Sequence, residues 1–254
     1  MARQVSPDRA LATNHFRRFA YRLSKKVVEW FRCNGREFPW RTTSNPFHLL
    51  IAEALLRQTQ AERVVEPYLD LVSKYPNPEA LAEADVNELR QWFKPFGLVR
   101  RADRLIQCAR ILISEYRGSM PNDLNAIEAL PGLGRYNSRA ILCLGFGIPA
   151  PMIDEGSGRV LRRVLGHEAK GPAYSDKCLM SIAERIIPTK SAREFNFGLI
   201  DVAAAFCHPK EPDCARCPLA RLCNYATESG RQGCASLSDL KQRQAASVKS
   251  VNNQ

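Results

Sequence analysis

The chain has 254 residues, of which 45% are hydrophobic and 25% charged, a composition typical of a folded protein rather than of a disordered chain. Lysine and arginine number 37 against 26 acidic residues. The resulting formal charge of +11 favours a polyanionic partner, either nucleic acid or an anionic membrane surface. No apolar run approaches the roughly 20 residues that span a bilayer, and the N-terminus lacks the apolar core of a secretion signal. We therefore exclude an integral membrane protein and expect a cytoplasmic one.

Apolar residues recur at helical spacing along most of the chain. The first such segment covers 15–31, and its polar side carries a series of arginines and lysines. Prolines and glycines separate the later segments, as in FPWR, FKPFG and LPGLG. Further predicted helices follow at 46–59, 61–74, 78–83, 86–93, 101–116, 123–130, 135–146, 157–165, 175–187 and 192–206. No alternating apolar and polar stretch of convincing length occurs, so the sequence predicts an all-α fold.

The two ends of the chain differ in composition from the helical part. Residues 1–14 predict a flexible basic lead-in. Residues 228–254 are rich in serine, glutamine, asparagine and lysine, and they predict a disordered tail. The part between them is long enough to form a substantial core without disulfide bonds.

Four of the nine cysteines lie close together with the spacing C-x6-C-x2-C-x5-C: Cys207, Cys214, Cys217 and Cys223. An odd total and the lack of an export signal argue against a set of disulfide bonds. Thiolates so close in sequence would repel one another unless they share a soft metal, so this cysteine loop predicts a metal site. The spacing allows a 4Fe–4S cluster or structural zinc, with unliganded cysteines as the remaining alternative. Basic residues in the loop suit contact with a phosphate backbone, and a purely structural role of the metal is an equally important interpretation.

The segment Leu130-Pro-Gly-Leu-Gly134 lies between two predicted helices. Gly132 and Gly134 would let the backbone approach a ligand closely, and the N–H groups at the start of the next helix would face outward. Arg135 and Arg139 add positive charge nearby. The segment therefore predicts either a site for a phosphate backbone, without sequence readout, or an ordinary turn between helices.

These features together resemble one family. LPGLGRYNSRA resembles the helix-hairpin-helix of the endonuclease III superfamily of DNA glycosylases, in which an aspartate follows further along the chain and a C-x6-C-x2-C-x5-C loop closes the domain. All three features occur here in that order, with Asp154 as the aspartate. The resemblance covers about residues 25–227. It implies a two-lobed all-α fold with a 4Fe–4S cluster, rather than zinc, in the cysteine loop.

The resemblance also implies how the chain divides. A cluster-bearing lobe would contain residues 15–44 and 154–227, and thus both ends of the domain. A six-helix barrel would occupy residues 45–153, with the helix-hairpin-helix at 123–146. The active site would lie between the two lobes.

Asp154 is the first candidate catalytic residue. In the family this aspartate stabilises positive charge on the deoxyribose. Breaking an N-glycosidic bond develops oxocarbenium character, so a nearby carboxylate lowers the barrier. From its position alone, an N-cap of the following helix is the better interpretation of Asp154.

Glu53 is the second candidate. Its segment, IAEALLRQTQ, resembles one in adenine glycosylases that act on A opposite G or 8-oxoguanine, where the glutamate is the general acid. Related thymine mismatch glycosylases also carry a glutamate there. A partly buried glutamate favours its protonated form and suits protonation of a departing base, whereas a solvated helix glutamate is the alternative. In the same segment, Gln58 and Thr59 match residues that fill the gap left by a flipped base, and Arg57 would contact the DNA backbone.

Tyr136 bears on the type of glycosylase. Bifunctional glycosylase/lyases of the superfamily have a lysine there that forms a Schiff base with the sugar. Tyrosine cannot do so, and we predict a monofunctional enzyme that leaves an abasic site. Tyr136, the segment 193–201 and the absence of a second domain after the cysteine loop resemble the enzymes that act on T or U opposite G. An adenine glycosylase is the alternative.

The chain also departs from the family pattern near both candidate carboxylates. Gly156 replaces the asparagine of the common D-x-N motif, and Ser157 and Gly158 predict a loosened helix start. Asn137 stands where the hairpin commonly has threonine.

These observations favour a base excision repair enzyme that acts on double-stranded DNA as a monomer, on the nucleoid if the cell is prokaryotic. From another class, the alternative is a non-catalytic protein with the same fold that binds mismatches or lesions. A zinc-containing transcription regulator is a third hypothesis.

Overall fold

The computed structural model describes residues 14–56, 59–168 and 171–228. All regular elements within these ranges are helical, which confirms the predicted all-α fold. The α-helices are α1 (Asn14–Asn34), α2 (Pro39–Thr42), α3 (Pro46–Leu55), α4 (Val65–Lys74), α5 (Pro78–Ala82), α6 (Val86–Phe93), α7 (Arg100–Tyr116), α8 (Leu124–Glu128), α9 (Arg135–Phe146), α10 (Glu155–Leu165), α11 (Lys177–Ile186), α12 (Ala192–Ala205) and α13 (Asn224–Glu228). Short 3-10 helices cover Ala61–Val64, Lys94–Phe96, Ala173–Ser175 and Ala220–Leu222. None of the described helices is both long and apolar enough to cross a membrane.

Some of the sequence predictions fall outside the described residues. They are the basic lead-in 1–14, apart from Asn14, the tail 228–254, apart from Glu228, and the two site residues Arg57 and Gln58.

The described chain divides into two compact units. Unit 1 contains the residues up to Gly35 together with those from Ile153 onward. Unit 2 contains Arg36–Met152. Unit 1 is therefore built from both sides of the sequence, and unit 2 is a continuous segment between them.

The chain passes from unit 1 to unit 2 after Gly35, nine residues before the boundary predicted after residue 44. Three aromatic residues explain the difference. The rings of Phe38 and Trp40 stack with their centroids 4.9 Å apart. Trp40 also meets Tyr68 of α4 edge-on, at 5.5 Å between centroids. All three side chains are buried. Because Tyr68 belongs to unit 2, this aromatic group ties the segment around α2 to that unit.

Unit 1 is organised around the packing of α1 against α12. Leu23 and Val27 of α1 and Phe195 and Leu199 of α12 are all fully buried in one core. The two helices come closest at Gly198, where a Cβ atom would lie 2.6 Å from Val27 Cγ1 and 3.0 Å from the Val27 carbonyl oxygen. Any side chain at this position would force α1 away from α12, so the close packing requires glycine.

A buried ionic network joins α10 to α11 within unit 1. Asp176 caps α11 by accepting a hydrogen bond from Leu179 N at 3.0 Å. Its Oδ2 accepts another from Arg162 Nη2 at 2.9 Å and lies 3.0 Å from His167 Nε2. Burial opposes ionisation of this carboxyl group, but the three neighbouring groups outweigh burial and lower the pKa of Asp176 to about 2.

Asp176→Asn is expected to lower the free energy of unfolding at neutral pH by about 2–3 kcal/mol, since it removes the charge that pairs with Arg162. The pKa of Asp176 in the folded protein lies below its ordinary value of 3.8, so the stabilisation is complete above about pH 4 and is lost as the pH falls toward 2. Urea unfolding between pH 7 and pH 2.5 should show the difference from the wild type shrinking toward the acid end. Asp85→Asn, at the exposed N-cap of α6, is the matched control and should cost about 0.5 kcal/mol or less. A difference for Asp176→Asn that stays constant with pH would contradict this account.

The centre of unit 2 is α3, an apolar helix that is buried on most of its sides. Asn45 caps it, with Oδ1 accepting hydrogen bonds from two N–H groups of the first turn, and Pro46 occupies the first helical position, where its missing N–H costs nothing. Helix α9 packs against α3, and α5 and α6 pack against α7. At Gly145 of α9 a Cβ atom would lie 3.0 Å from Pro46 Cγ, so the α3–α9 contact is close. The two helices that carry Glu53 and Asn137 are thus packed directly on each other.

Candidate active site

Glu53 projects from the last turns of α3 into the interior of unit 2, with only 7% of its surface exposed. This burial contradicts the alternative of a solvated helix glutamate. Asn137 Nδ2 donates a hydrogen bond of 2.5 Å to Glu53 Oε2. Beside it, Arg101 Nη1 donates to the carbonyl oxygen of Ala54 at 2.7 Å, where it satisfies the C-terminal end of α3. The buried carboxylate of Glu53 needs a hydrogen-bond donor such as the Asn137 amide, because burying a carboxylate without a hydrogen bond costs several kcal/mol.

The carboxylate of Glu53 opens onto a pocket that lies wholly within unit 2. One wall consists of Arg101 and Arg104 from α7, and another of Asn137 and the turn Pro131–Leu133. The remaining lining residues are Leu50, Ala54 and Leu105. A buried acid, two arginines and the glycine turn therefore share one cavity.

The glycine turn joins α8 to α9. Gly132 has φ +84°, a conformation that favours glycine, and a Cβ atom there would lie 2.8 Å from Arg104 Cδ. Gly134 is the N-cap of α9 and offers no side chain to its first-turn N–H groups. Gly132, Gly134 and Arg135 are exposed, whereas Arg139 is only partly exposed. The geometry suits the approach of an anion to the start of α9.

Tyr136 lies in the first turn of α9, between Arg135 and Asn137, and it is partly buried. The hairpin thus places a phenol where a lysine amine would be needed for a Schiff base. Thr59 lies in the bend that follows α3, partly exposed.

Asp154 belongs to unit 1 and is the N-cap of α10. Its Oδ1 accepts hydrogen bonds from Ser157 N at 2.6 Å and from Ser157 Oγ at 2.7 Å. In return, Asp154 N donates to Ser157 Oγ at 2.9 Å, which completes a capping box. The N-cap interpretation of Asp154 is therefore correct for the structure.

The predicted loosening of the helix start at Ser157 and Gly158 is wrong. Helix α10 begins at Glu155, and Ser157 is fully buried in the capping box. Gly158 packs so closely on the 3-10 helix Ala173–Ser175 that a Cβ atom would lie 2.2 Å from Ala173 Cβ. Both residues therefore tighten this helix start.

Gly158→Ala is expected to destabilise the protein by about 1–3 kcal/mol because the new methyl group overlaps Ala173. Helix propensity favours alanine by about 1 kcal/mol, and the net loss is smaller than the steric cost for that reason. The double variant Gly158→Ala/Ala173→Gly removes the overlapping atom and should recover part of the loss. Thermal and urea unfolding of the two single variants and the double variant would measure this coupling. Purely additive effects would show that the clash is absent.

The four cysteines of the loop line one apolar cavity in unit 1, together with side chains of α10, α12 and α13. Arg163 of α10 anchors this loop through hydrogen bonds and a contact with an aromatic ring. Its Nη1 donates to Cys207 Sγ at 3.3 Å and to His208 O at 2.7 Å, and its guanidinium carbon lies 4.8 Å from the centroid of the Tyr225 ring. The Cys223 thiol donates in turn to Arg163 O at 3.4 Å.

The chemistry of these donors fits a soft metal centre. Burial raises the pKa of the Cys217 thiol to about 11, with the neighbouring Cys207 and Cys223 contributing in the same direction, and burial also raises the pKa of Cys223. Such thiols become thiolate ligands only when a metal displaces their protons. Among the residues that the structure describes, no group of three or more His, Cys, Asp or Glu side chains is already arranged as a metal site.

The structure thus brings together Glu53 and the glycine turn in unit 2, and the four cysteines in unit 1. Sequence reasoning missed the two pocket arginines of α7, Arg101 and Arg104. It noted Asn137 only as a departure from threonine. That departure, three residues after the hairpin glycine, was the signal that could have identified Asn137 as the partner of Glu53.

A family model described as "HhH-GPD superfamily base excision DNA repair protein" matches residues 51–185. The chain belongs to the HhH-GPD superfamily. The matched range contains Glu53, the glycine turn and Asp154, and it ends before the cysteine loop. The membership confirms the resemblance to the endonuclease III superfamily.

The chain is also similar to individual proteins that are named as DNA glycosylases. The chain is 38% identical over 208 residues to a thymine-DNA glycosylase of Aeropyrum pernix, a match that covers 80% of this chain and 93% of that protein. It is 36% identical over 200 residues to a thymine/uracil-DNA glycosylase of Methanothermobacter thermautotrophicus, covering 78% and 90%. The solved structure of a thermostable thymine-DNA glycosylase matches the fold with a TM-score of 0.78 at 34% identity, over 83% of this chain and 98% of that one.

Proposed function

We propose that this protein is a monofunctional DNA glycosylase that removes thymine or uracil opposite guanine from double-stranded DNA, acting as a monomer. The observation that carries the proposal is the buried carboxylate of Glu53 in a cavity that also contains the glycine turn. The base class is supported by the names of two relatives, a thymine-DNA glycosylase and a thymine/uracil-DNA glycosylase.

The glycine turn is the proposed anchor for the DNA backbone. Gly132 and Gly134 leave the start of α9 open to a phosphate, and Arg135 adds an exposed positive charge. Arg139 reinforces that charge from the next turn of the helix. A base inside a duplex must be flipped out before its glycosidic bond can be reached. In the segment after α3, filling the resulting gap is assigned to Gln58 and Thr59, and contact with the DNA backbone is assigned to Arg57.

Asp154 is the proposed stabiliser of the sugar. As the C1′–N bond breaks, the electron pair leaves with the base and the deoxyribose becomes positively charged. The charge of Asp154 lowers the energy of that state, and the hydrogen bonds of Ser157 to Oδ1 fix the carboxylate without neutralising it. Water then adds its hydroxide to C1′ and its proton goes to the base or to solvent.

Tyr136 accounts for the monofunctional character of the enzyme. Without an amine at this position the sugar is not captured as a Schiff base, so the strand is left intact at an abasic site. The products are the free base and DNA with an unbroken backbone.

A 4Fe–4S cluster is the proposed occupant of the cysteine cavity, bound by Cys207, Cys214, Cys217 and Cys223. The shared cavity, its apolar lining and the positive charge of Arg163 next to Cys207 Sγ support this assignment. When bound, the cluster supplies a rigid cross-link between the four thiolates. The chain's own residues carry out the hydrolysis.

The decisive experiment incubates the protein with labelled duplexes that contain G·T, G·U or A·8-oxoguanine pairs and then treats each sample with alkali. We expect strand breakage on G·T and G·U only after alkali, which shows base removal without lyase activity. Breakage before alkali would contradict the monofunctional assignment, and breakage at the adenine of A·8-oxoguanine alone would identify an adenine glycosylase. Binding without breakage on every duplex, for the wild type and Asp154→Asn alike, would show a non-catalytic DNA-binding protein.

A further inference from the structure

We infer that Asn137 is a specificity-determining positioning residue, whose hydrogen bond to Glu53 opposes protonation of that glutamate and thereby favours the excision of pyrimidines over that of adenine. This inference rests on the proposed function. It assigns to a single hydrogen bond in unit 2 the choice between two classes of base.

The contact is short and enclosed. Asn137 Nδ2 lies 2.5 Å from Glu53 Oε2, and Glu53 as a whole residue is only 7% exposed. Both side chains line the same pocket beside the glycine turn. Helices α3 and α9 pack directly on each other, so the two groups are held in register by the fold rather than by a mobile loop.

The amide nitrogen of asparagine can only donate a hydrogen bond, and a donor of this kind stabilises a carboxylate more than it stabilises the neutral acid. Threonine, which the hairpin commonly has at this position, places its hydroxyl one bond nearer the backbone. Its reach toward Glu53 Oε2 is therefore shorter than that of asparagine. Burial alone favours the neutral form of Glu53, and asparagine at 137 opposes that effect by donating to the carboxylate.

The charge state of Glu53 matters differently for the two classes of base. When the C1′–N1 bond of thymine or uracil breaks, the electron pair spreads from N1 onto the two carbonyl oxygens, and the base leaves as a stabilised anion. Adenine has no carbonyl group to accept the charge and leaves readily only after its imidazole ring is protonated. An ionised glutamate cannot provide that proton, so a hydrogen bond that shifts Glu53 toward the ionised form disfavours adenine while leaving pyrimidine loss possible.

The test compares Asn137→Asp and Asn137→Thr with the wild type in single-turnover reactions on G·T, G·U and A·8-oxoguanine duplexes across pH. Aspartate is nearly isosteric with asparagine but places a second carboxyl group against Glu53, and two carboxylates so close share a proton. For Asn137→Asp we expect the acid limb of the G·T pH profile to move upward by about one unit and the ratio of thymine to adenine excision to fall about tenfold. Asn137→Thr should shift both quantities in the same direction by a smaller amount.

Asn125→Asp is the matched control because it makes the same chemical change on α8 of the same hairpin, at an exposed side chain. It should leave both the pH profile and the base ratio unchanged. If Asn137→Asp does not fold, as judged by its circular dichroism and melting curve, Asn137→Thr decides the question.

The failures of the inference and of the proposed function can be told apart. A wild-type protein that excises no base from any of the three duplexes would overturn the proposed function itself. A wild type that excises thymine or uracil, with Asn137 variants that keep its pH profile and base ratio, would overturn the role of Asn137 alone. Equal effects of the substitutions at 137 and 125 would do the same.

Discussion

Asp154→Asn is expected to fold like the wild type and to excise thymine and uracil at least about 10²–10³-fold more slowly. Asparagine is as good an N-cap as aspartate, and its Oδ1 accepts the same two hydrogen bonds from Ser157. What disappears is the negative charge that would stabilise the sugar as the base leaves. Single-turnover excision from a G·U duplex, measured with the melting temperature of the same preparation, separates the lost charge from any damage to the fold.

Ser157→Ala is the complementary variant. It keeps the charge of Asp154 but removes one hydrogen bond to Oδ1 and the reciprocal bond from Asp154 N. We expect it to lose about 1 kcal/mol of stability and much less activity than Asp154→Asn. Near wild-type excision by Asp154→Asn would show that Asp154 serves only as a cap.

Cys217→Ser is expected to abolish cluster binding and to destabilise unit 1 by at least about 3 kcal/mol, because a bound cluster contributes its binding energy to folding. Purified wild type should contain four irons per chain and absorb near 400 nm, whereas the variant should do neither. The segment from Cys207 to Glu228 should become the first site of proteolysis, since the cysteine loop has few other buried side chains to hold it.

Cys33→Ser provides the control for Cys217→Ser because Cys33 is exposed on α1, outside the loop. It should retain the iron, the absorbance and the melting temperature of the wild type. Stoichiometric zinc without absorbance near 400 nm in the wild type would replace the iron–sulfur assignment by a zinc site.

Much of the helical framework could be predicted from the sequence because it depends on local information. The apolar spacing of α1, and the prolines and glycines that flank α3 and α9, can be recognised from the amino-acid sequence alone. The start of α10 was misjudged for a specific reason. Ser157 and Gly158 are poor helix formers by propensity, but their effect depends on a side-chain cap and on the neighbouring Ala173, neither of which a local pattern contains.

In the candidate site, too, the sequence predicts some features and not others. The glutamate and the glycine turn stand out by sequence motif, and the structure places both at one pocket in unit 2. The partners of Glu53 could not be derived in this way. Asn137 is 84 residues away in the chain and Arg101 is 48 residues away, and only the packing of α3 with α9 and α7 brings them together. Pairings over such separations are set by tertiary contacts, which helical periodicity does not encode.

The pairing of α1 with α12 at Gly198 has a consequence for how the protein is made. Helix α1 leaves the ribosome before unit 2, yet the surface that buries Leu23 and Val27 is synthesised only after the whole of unit 2. During that interval α1 exposes an apolar stripe, while unit 2 already has all of its own sequence and can condense first. We expect a compact unit 2 to shorten the flexible connection between α1 and α12 and so to reduce the entropy cost of closing it. The order of synthesis therefore favours folding of the inserted unit before the one that surrounds it in sequence.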